Sequence, residues 1–125
     1  MSYILIVGAK SDIAKAVARK YAENGYDLYL AARESIELED FSNDVKIRTQ
    51  KVVKCVELDI LDYVKNEVFY NSLKEKPLGV ILAVGYLGEQ EKSQNNFDET
   101  LKIISTNYTG VVSFLNIIAN DFEKR

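Results

Sequence analysis

The chain has 125 residues, enough for one domain with a substantial core, and its 47% hydrophobic and 28% charged residues are ordinary for a globular protein. A net charge of −3 leaves no basic excess for neutralising nucleic-acid phosphates, and no apolar run approaches the roughly 20 residues of a membrane helix. The absence of histidine removes His-based metal sites, triads and pH switches, while a single cysteine, Cys55, excludes an internal disulfide and fits a reducing, cytoplasmic setting. No basic and then apolar leader stands before the first apolar run, so no signal peptide is expected.

Along the chain, strand and helix patterns alternate. Tyr3–Val7 reads as a first strand, and Asp12–Glu23 as an amphipathic, alanine-rich helix stopped by Asn24-Gly25. Residues 27–31 make a short second strand. Residues 34–50 are polar and partly helical, with Leu38, Phe41, Val45 and Ile47 as the buried side and the acidic run 37–44 as a solvated face. Residues 51–58 form a third strand, in which Cys55 is a small core residue. Helical spacing over 62–74 puts Val64, Val68, Phe69 and Leu73 on the inner face, and Pro77 follows the stop. A near-continuous apolar fourth strand spans 78–84. A polar, glycine-containing loop over 85–94 leads into one long apolar helix at 96–124. Strands that do not alternate, separated by helices, predict a parallel α/β sheet within a single domain over 1–125. No internal repeat, low-complexity segment or linker interrupts it.

The stretch Val7-Gly8-Ala9-Lys10-Ser11-Asp12-Ile13-Ala14 holds the strongest functional signal. An apolar strand ends at a glycine and a helix begins at once, which presents free N–H groups and the positive end of the helix dipole to a phosphate. A single glycine in a strand–helix turn is by itself weak evidence, since many α/β proteins have one. The sequence around it is more specific. Ala32-Arg33 follows the second strand, Leu58-Asp59-Ile60 ends the third, Ala83-Val84-Gly85 ends the fourth, and Asn107 is followed by Gly110 on the long helix.

Taken in order, these segments resemble the N-terminal half of the short-chain dehydrogenase/reductase family, over the whole chain. Gly8, Ala9, Ser11 and Ile13 fit that family's glycine-rich turn, while Asp12 and Ala14 replace its second and third glycines. Alanine still permits close helix–strand packing. Asp12 repels a pyrophosphate unless it points outward at the helix start, leaving the site to Gly8, Ser11, Ile13 and the backbone.

The resemblance implies a three-layer Rossmann-like parallel sheet of about four strands in the order 3-2-1-4, flanked by helices. It also implies a nicotinamide dinucleotide as cofactor. Arg33, standing where an NAD-preferring protein carries an acid, points to NADP over NAD, with Lys10 as a second cation for the 2′-phosphate. For Arg33 the plainer reading is a solvated loop residue. Asp59 and Ile60 correspond to the pair that holds the adenine; Asp59 also suits the N-cap of the next helix. Ala83 and Gly85 retain only part of the fourth strand's signature. Asn107 matches a catalytic asparagine that anchors a proton-relay water.

The family's serine and its Tyr-x-x-x-Lys pair, which polarise and protonate a carbonyl, lie beyond the region matched, so this chain is expected to bind cofactor without turnover. Tyr70 and Lys74 satisfy the Tyr-x-x-x-Lys pattern by letter only, on a helix between the third and fourth strands. Self-association is expected, through the 96–124 helix or the fourth-strand edge, with no nucleic-acid or membrane partner. Two alternatives remain. One is a non-catalytic dinucleotide-binding or dimerising module. The other is a receiver-like domain phosphorylated on Asp59, which lacks the acidic pair, hydroxyl residue and lysine that chemistry needs.

Overall fold

The computed structural model describes residues 2–60, 62–83, 97, 98, 101 and 110–125. They fall into two compact units, one running up to Asp59 and including Leu73–Ala83, the other comprising Ile60–Ser72 and the described residues of 84–125.

The first unit holds a four-stranded sheet in the order β3-β2-β1-β4, with strands β1 (Tyr3–Val7), β2 (Asp27–Ala32), β3 (Val53–Glu57) and β4 (Gly79–Leu82). Every pairing is parallel, with Leu5 opposite Tyr29 and Val80, and Leu30 opposite Cys55. The two central strands are buried throughout, as continuous apolar runs require when both faces of a sheet are covered. On one face Ile4, Ile6, Leu28, Leu30, Ala32 and Val53 form a core with Ala14, Ala18 and Ala22 of helix α1 (Asp12–Glu23) and Leu38 and Val45. On the other face Tyr3 and Tyr29 stack with ring centroids 4.2 Å apart. The Tyr29 hydroxyl donates to the Glu75 carbonyl at 3.0 Å.

Helix α1 is capped at both ends. Ser11 Oγ accepts the Ala14 N–H at 3.1 Å. At the far end Gly25, at φ +95°, lets the chain reverse while Tyr26 N–H returns to the Tyr21 carbonyl.

A short 3₁₀ helix, Ser35–Leu38, precedes α2 (Glu39–Thr49). Leu38 and Val45 are buried and Phe41 packs against the core, as the spacing predicts. Ile47 does not: it is 74% exposed, and Ser42 is buried instead. Ile47 stands two residues past Val45, about 200° round the same α-helix, so it faces away from the core while Ser42 lies on the face of Leu38, Phe41 and Val45. Cys55 is half-buried on an edge strand and packs against the core.

In the second unit, α3 (Tyr63–Ser72) packs on α4 (Gly110–Lys124). Phe114 is fully buried, with its ring 6.1 Å from Phe69 and 6.4 Å from Tyr70. Leu73, just past the helix, is buried as expected, but Val64 and Val68 are 83% and 66% exposed. Their place on the inner face is taken by Asn66 and Tyr70. Asn66 Nδ2 donates to the Ile60 carbonyl at 3.1 Å, and the Tyr70 hydroxyl donates to Asp121 at 2.6 Å, while Asn66 Oδ1 is buried without a hydrogen-bond partner among the described residues. Among the described residues no helix is long and apolar enough to cross a membrane.

Candidate cofactor site

The carboxyl ends of the parallel strands meet at one edge of the sheet. β2 and β3 extend to one side of β1 and β4 lies on the other, so β1 and β4 flank the point where strand order reverses. In open α/β sheets that crevice is where ligands bind.

Gly8 leaves β1 at φ +81°, a left-handed conformation that side chains disfavour. Its N–H and that of Ala9 both donate to the Ala31 carbonyl, at 2.9 and 3.2 Å, which anchors the turn to the end of β2. Ser11 N–H closes the turn on the Gly8 carbonyl at 3.3 Å. Ser11 Oγ and its carbonyl then serve Ala14 and Lys15. The first two helical N–H groups, those of Asp12 and Ile13, have no partner among the described residues and project from the positive end of α1. Asp12 is exposed in the first turn and complements that dipole, and Ile13 is 75% exposed at the mouth of the turn.

Ala83 joins this group from the other side, its N–H donating to the Val7 carbonyl at 2.8 Å. Arg33 directly follows β2, exposed and without an ion pair among the described residues. Gly8, Lys10, Ser11, Asp12, Ile13, Arg33 and Ala83 therefore all belong to the strand ends of the sheet unit.

Lys10 does not stand open. Its Nζ lies 3.1 Å from Glu37 and 4.0 Å from Glu34, so the glycine turn is latched to the 3₁₀ helix after β2. Glu37's carboxyl is held below the ordinary glutamate value by a hydrogen bond with Glu34 and by the Lys10 ammonium. Pattern reading missed Glu57, at the end of β3. Its carboxylate accepts the N–H groups of Ser35 and Glu34, at 2.9 and 2.8 Å, and the Ser35 hydroxyl at 3.1 Å. Those backbone donors hold its carboxyl below the ordinary value. Glu34, at φ +51°, is the residue that turns the chain out of the sheet. Its partner lies 23 positions away, so no local signal in the sequence marks the contact.

Asp59 is exposed after β3 and does not cap α3, because that helix begins at Tyr63 with Asp62 before it. Ile60 is buried in the second unit, with its carbonyl held by Asn66. Gly85 and Asn107 lie outside the described residues. The Tyr70/Lys74 pair has no catalytic geometry: burial, with Asp121 beside it, pushes the Tyr70 phenol well above its usual range, and its hydroxyl is committed to that carboxylate.

A parallel sheet with this strand order, a glycine-led turn and an open helix N-terminus define a Rossmann-type unit. The chain belongs to the short-chain dehydrogenase family, whose family model matches residues 2–125. It is 29% identical over 119 residues to an uncharacterised oxidoreductase of Mycobacterium tuberculosis, covering 93% of this chain and 47% of that protein. It is 28% identical over 130 residues to human 17-beta-hydroxysteroid dehydrogenase type 3, covering 98% of this chain and 41% of that one.

Among solved structures, a short-chain dehydrogenase from Sphingobium yanoikuyae in complex with NADPH superposes with a TM-score of 0.82 at 22% identity, over 98% of this chain and 49% of that one. An alcohol dehydrogenase from Thermococcus sibiricus complexed with 5-hydroxy-NADP gives 0.81 at 26% identity, over 99% and 54%. The chain thus spans about half the length of the proteins it matches.

Proposed function

We propose that this chain is the nucleotide-binding portion of an NADP-dependent short-chain oxidoreductase acting on a carbonyl or alcohol, and that alone it binds the adenosine end of the cofactor without turnover. The observation that carries this reading is the pair of N–H groups at Asp12 and Ile13 that have no partner among the described residues, together with an exposed Arg33 at the end of β2 that forms no ion pair among them. The first can take the pyrophosphate and the second a 2′-phosphate, bidentately. The NADP forms bound in the Sphingobium and Thermococcus relatives support the same cofactor. When bound, the cofactor supplies the hydride, and this chain's residues hold and orient it.

Self-association is part of the proposal, through the segment 96–124, in which α4 exposes Val112, Leu115 and Phe122, or along the outer edge of β4. A monomer in light scattering at micromolar concentration would remove that part.

Calorimetric titration with NADP and NAD tests the cofactor assignment. Tighter binding of NADP, lost on Arg33→Glu, is the expected result. Negligible binding of both dinucleotides would favour a non-binding, dimerising module, and tighter NAD binding would remove the role of Arg33.

A further inference from the structure

The 2′-phosphate end of the proposed site is crowded with carboxylates. Lys10 and Arg33 are its cations; Glu34 and Glu37 stand against Lys10, and Glu57 holds the backbone of the turn that follows Arg33. These three acids are not equivalent. Glu57 is fixed by three hydrogen bonds from Glu34 and Ser35 and serves the backbone of the turn. Glu34 reaches Lys10 only at the limit of an ion pair, 4.0 Å. Glu37 holds Lys10 closely, at 3.1 Å, from an exposed position on a one-turn 3₁₀ helix, and its side chain can swing into solvent without breaking a backbone contact.

We propose that Glu37 is a built-in competitor for the 2′-phosphate: binding of the phosphorylated nucleotide exchanges the partner of Lys10 from the Glu37 carboxylate to the phosphate. This rests on the cofactor reading above and deepens it, since it makes Glu37 a residue that sets the preference between NADP and NAD. The cofactor carrying a 2′-hydroxyl leaves the Lys10–Glu37 pair intact, so only the phosphorylated form meets the cost of exchange. An exposed ion pair is weak, so the effect is a modest tuning of preference and not a block.

The test uses adenosine 2′,5′-bisphosphate and adenosine 5′-monophosphate, which differ only in the 2′-phosphate, titrated into the wild-type chain and into Glu37→Gln, Lys10→Gln and the double variant. Glu37→Gln is expected to tighten the bisphosphate by about two- to fivefold while leaving the monophosphate unchanged. The gain should vanish in the Lys10→Gln background, because the released partner is then missing. An equal change for both nucleotides, no change for either, or a gain that survives without Lys10 would overturn the proposal. If the wild-type chain binds neither nucleotide, the cofactor reading itself fails, and that outcome is distinct from binding that Glu37 does not tune.

Discussion

Helices α1 and α3 are similar in length and differ in how they were made. In α1 the buried residues are Ala14, Ala18 and Ala22, spaced four apart, with Ser11 as cap and Asn24-Gly25 as stop, all within the helix and its flanks. In α3 the buried residues are Asn66 and Tyr70, while Val64 and Val68 face solvent. Each of those two polar side chains donates to a partner outside the helix, the Ile60 carbonyl and the Asp121 carboxylate. A helix whose determinants are local is legible from its own residues. One whose inner face is chosen by distant hydrogen-bond partners is not, because apolar periodicity assigns the polar residues to the outside.

The comparison can be broken most severely at Ala18, which is fully buried against the sheet. Ala18→Leu forces extra volume into a packed interface and is expected to cost about 3 kcal/mol in urea unfolding. Next comes Asn66→Ala, which leaves the buried Ile60 carbonyl without its donor and is expected to cost about 2 kcal/mol. A neutral result there would return Asn66 to the status of an ordinary helix residue. Val64→Lys should change stability by less than about 0.5 kcal/mol, because the side chain is solvent-facing. A larger loss would restore the inward stripe that periodicity suggests.

The finest test concerns Glu57, whose partners are also distant. Its folded pKa lies below the ordinary glutamate value of 4.5. Its hold on the Glu34–Ser35 turn is therefore complete above that pH and lost as pH falls through the lower folded value. The Ser35 amide resonance should follow this titration with a midpoint below 4.5, and a midpoint above it would contradict the cap.

The same division between local and distant determinants runs through the site. β1, the turn at Gly8 and the start of α1 were legible because a β-branched run, one glycine and a serine cap lie within a dozen residues. The strand order followed from the family resemblance, and the observed order β3-β2-β1-β4, with Val7 opposite both Ala31 and Leu82, bears it out. Lys10 and Arg33 were both legible as cations, but only the structure separates them: Lys10 is paired with Glu37, and Arg33 is exposed with no ion pair among the described residues. Glu57 could not have been found, since an acid at the end of a strand reads as a solvated residue until the turn it caps is in place. Asp59 as an N-cap failed for a similar reason, because α3 starts three residues later than a cap there would require.

The central claim, that the open end of α1 and the turn after β2 form one nucleotide site, is tested most directly by amide chemical-shift mapping of the labelled chain during NADPH titration. The account predicts the largest saturable shifts at Asp12 and Ile13 together with Arg33 and Glu34, on one binding curve. Shifts confined to other residues, or none at millimolar NADPH, would contradict it.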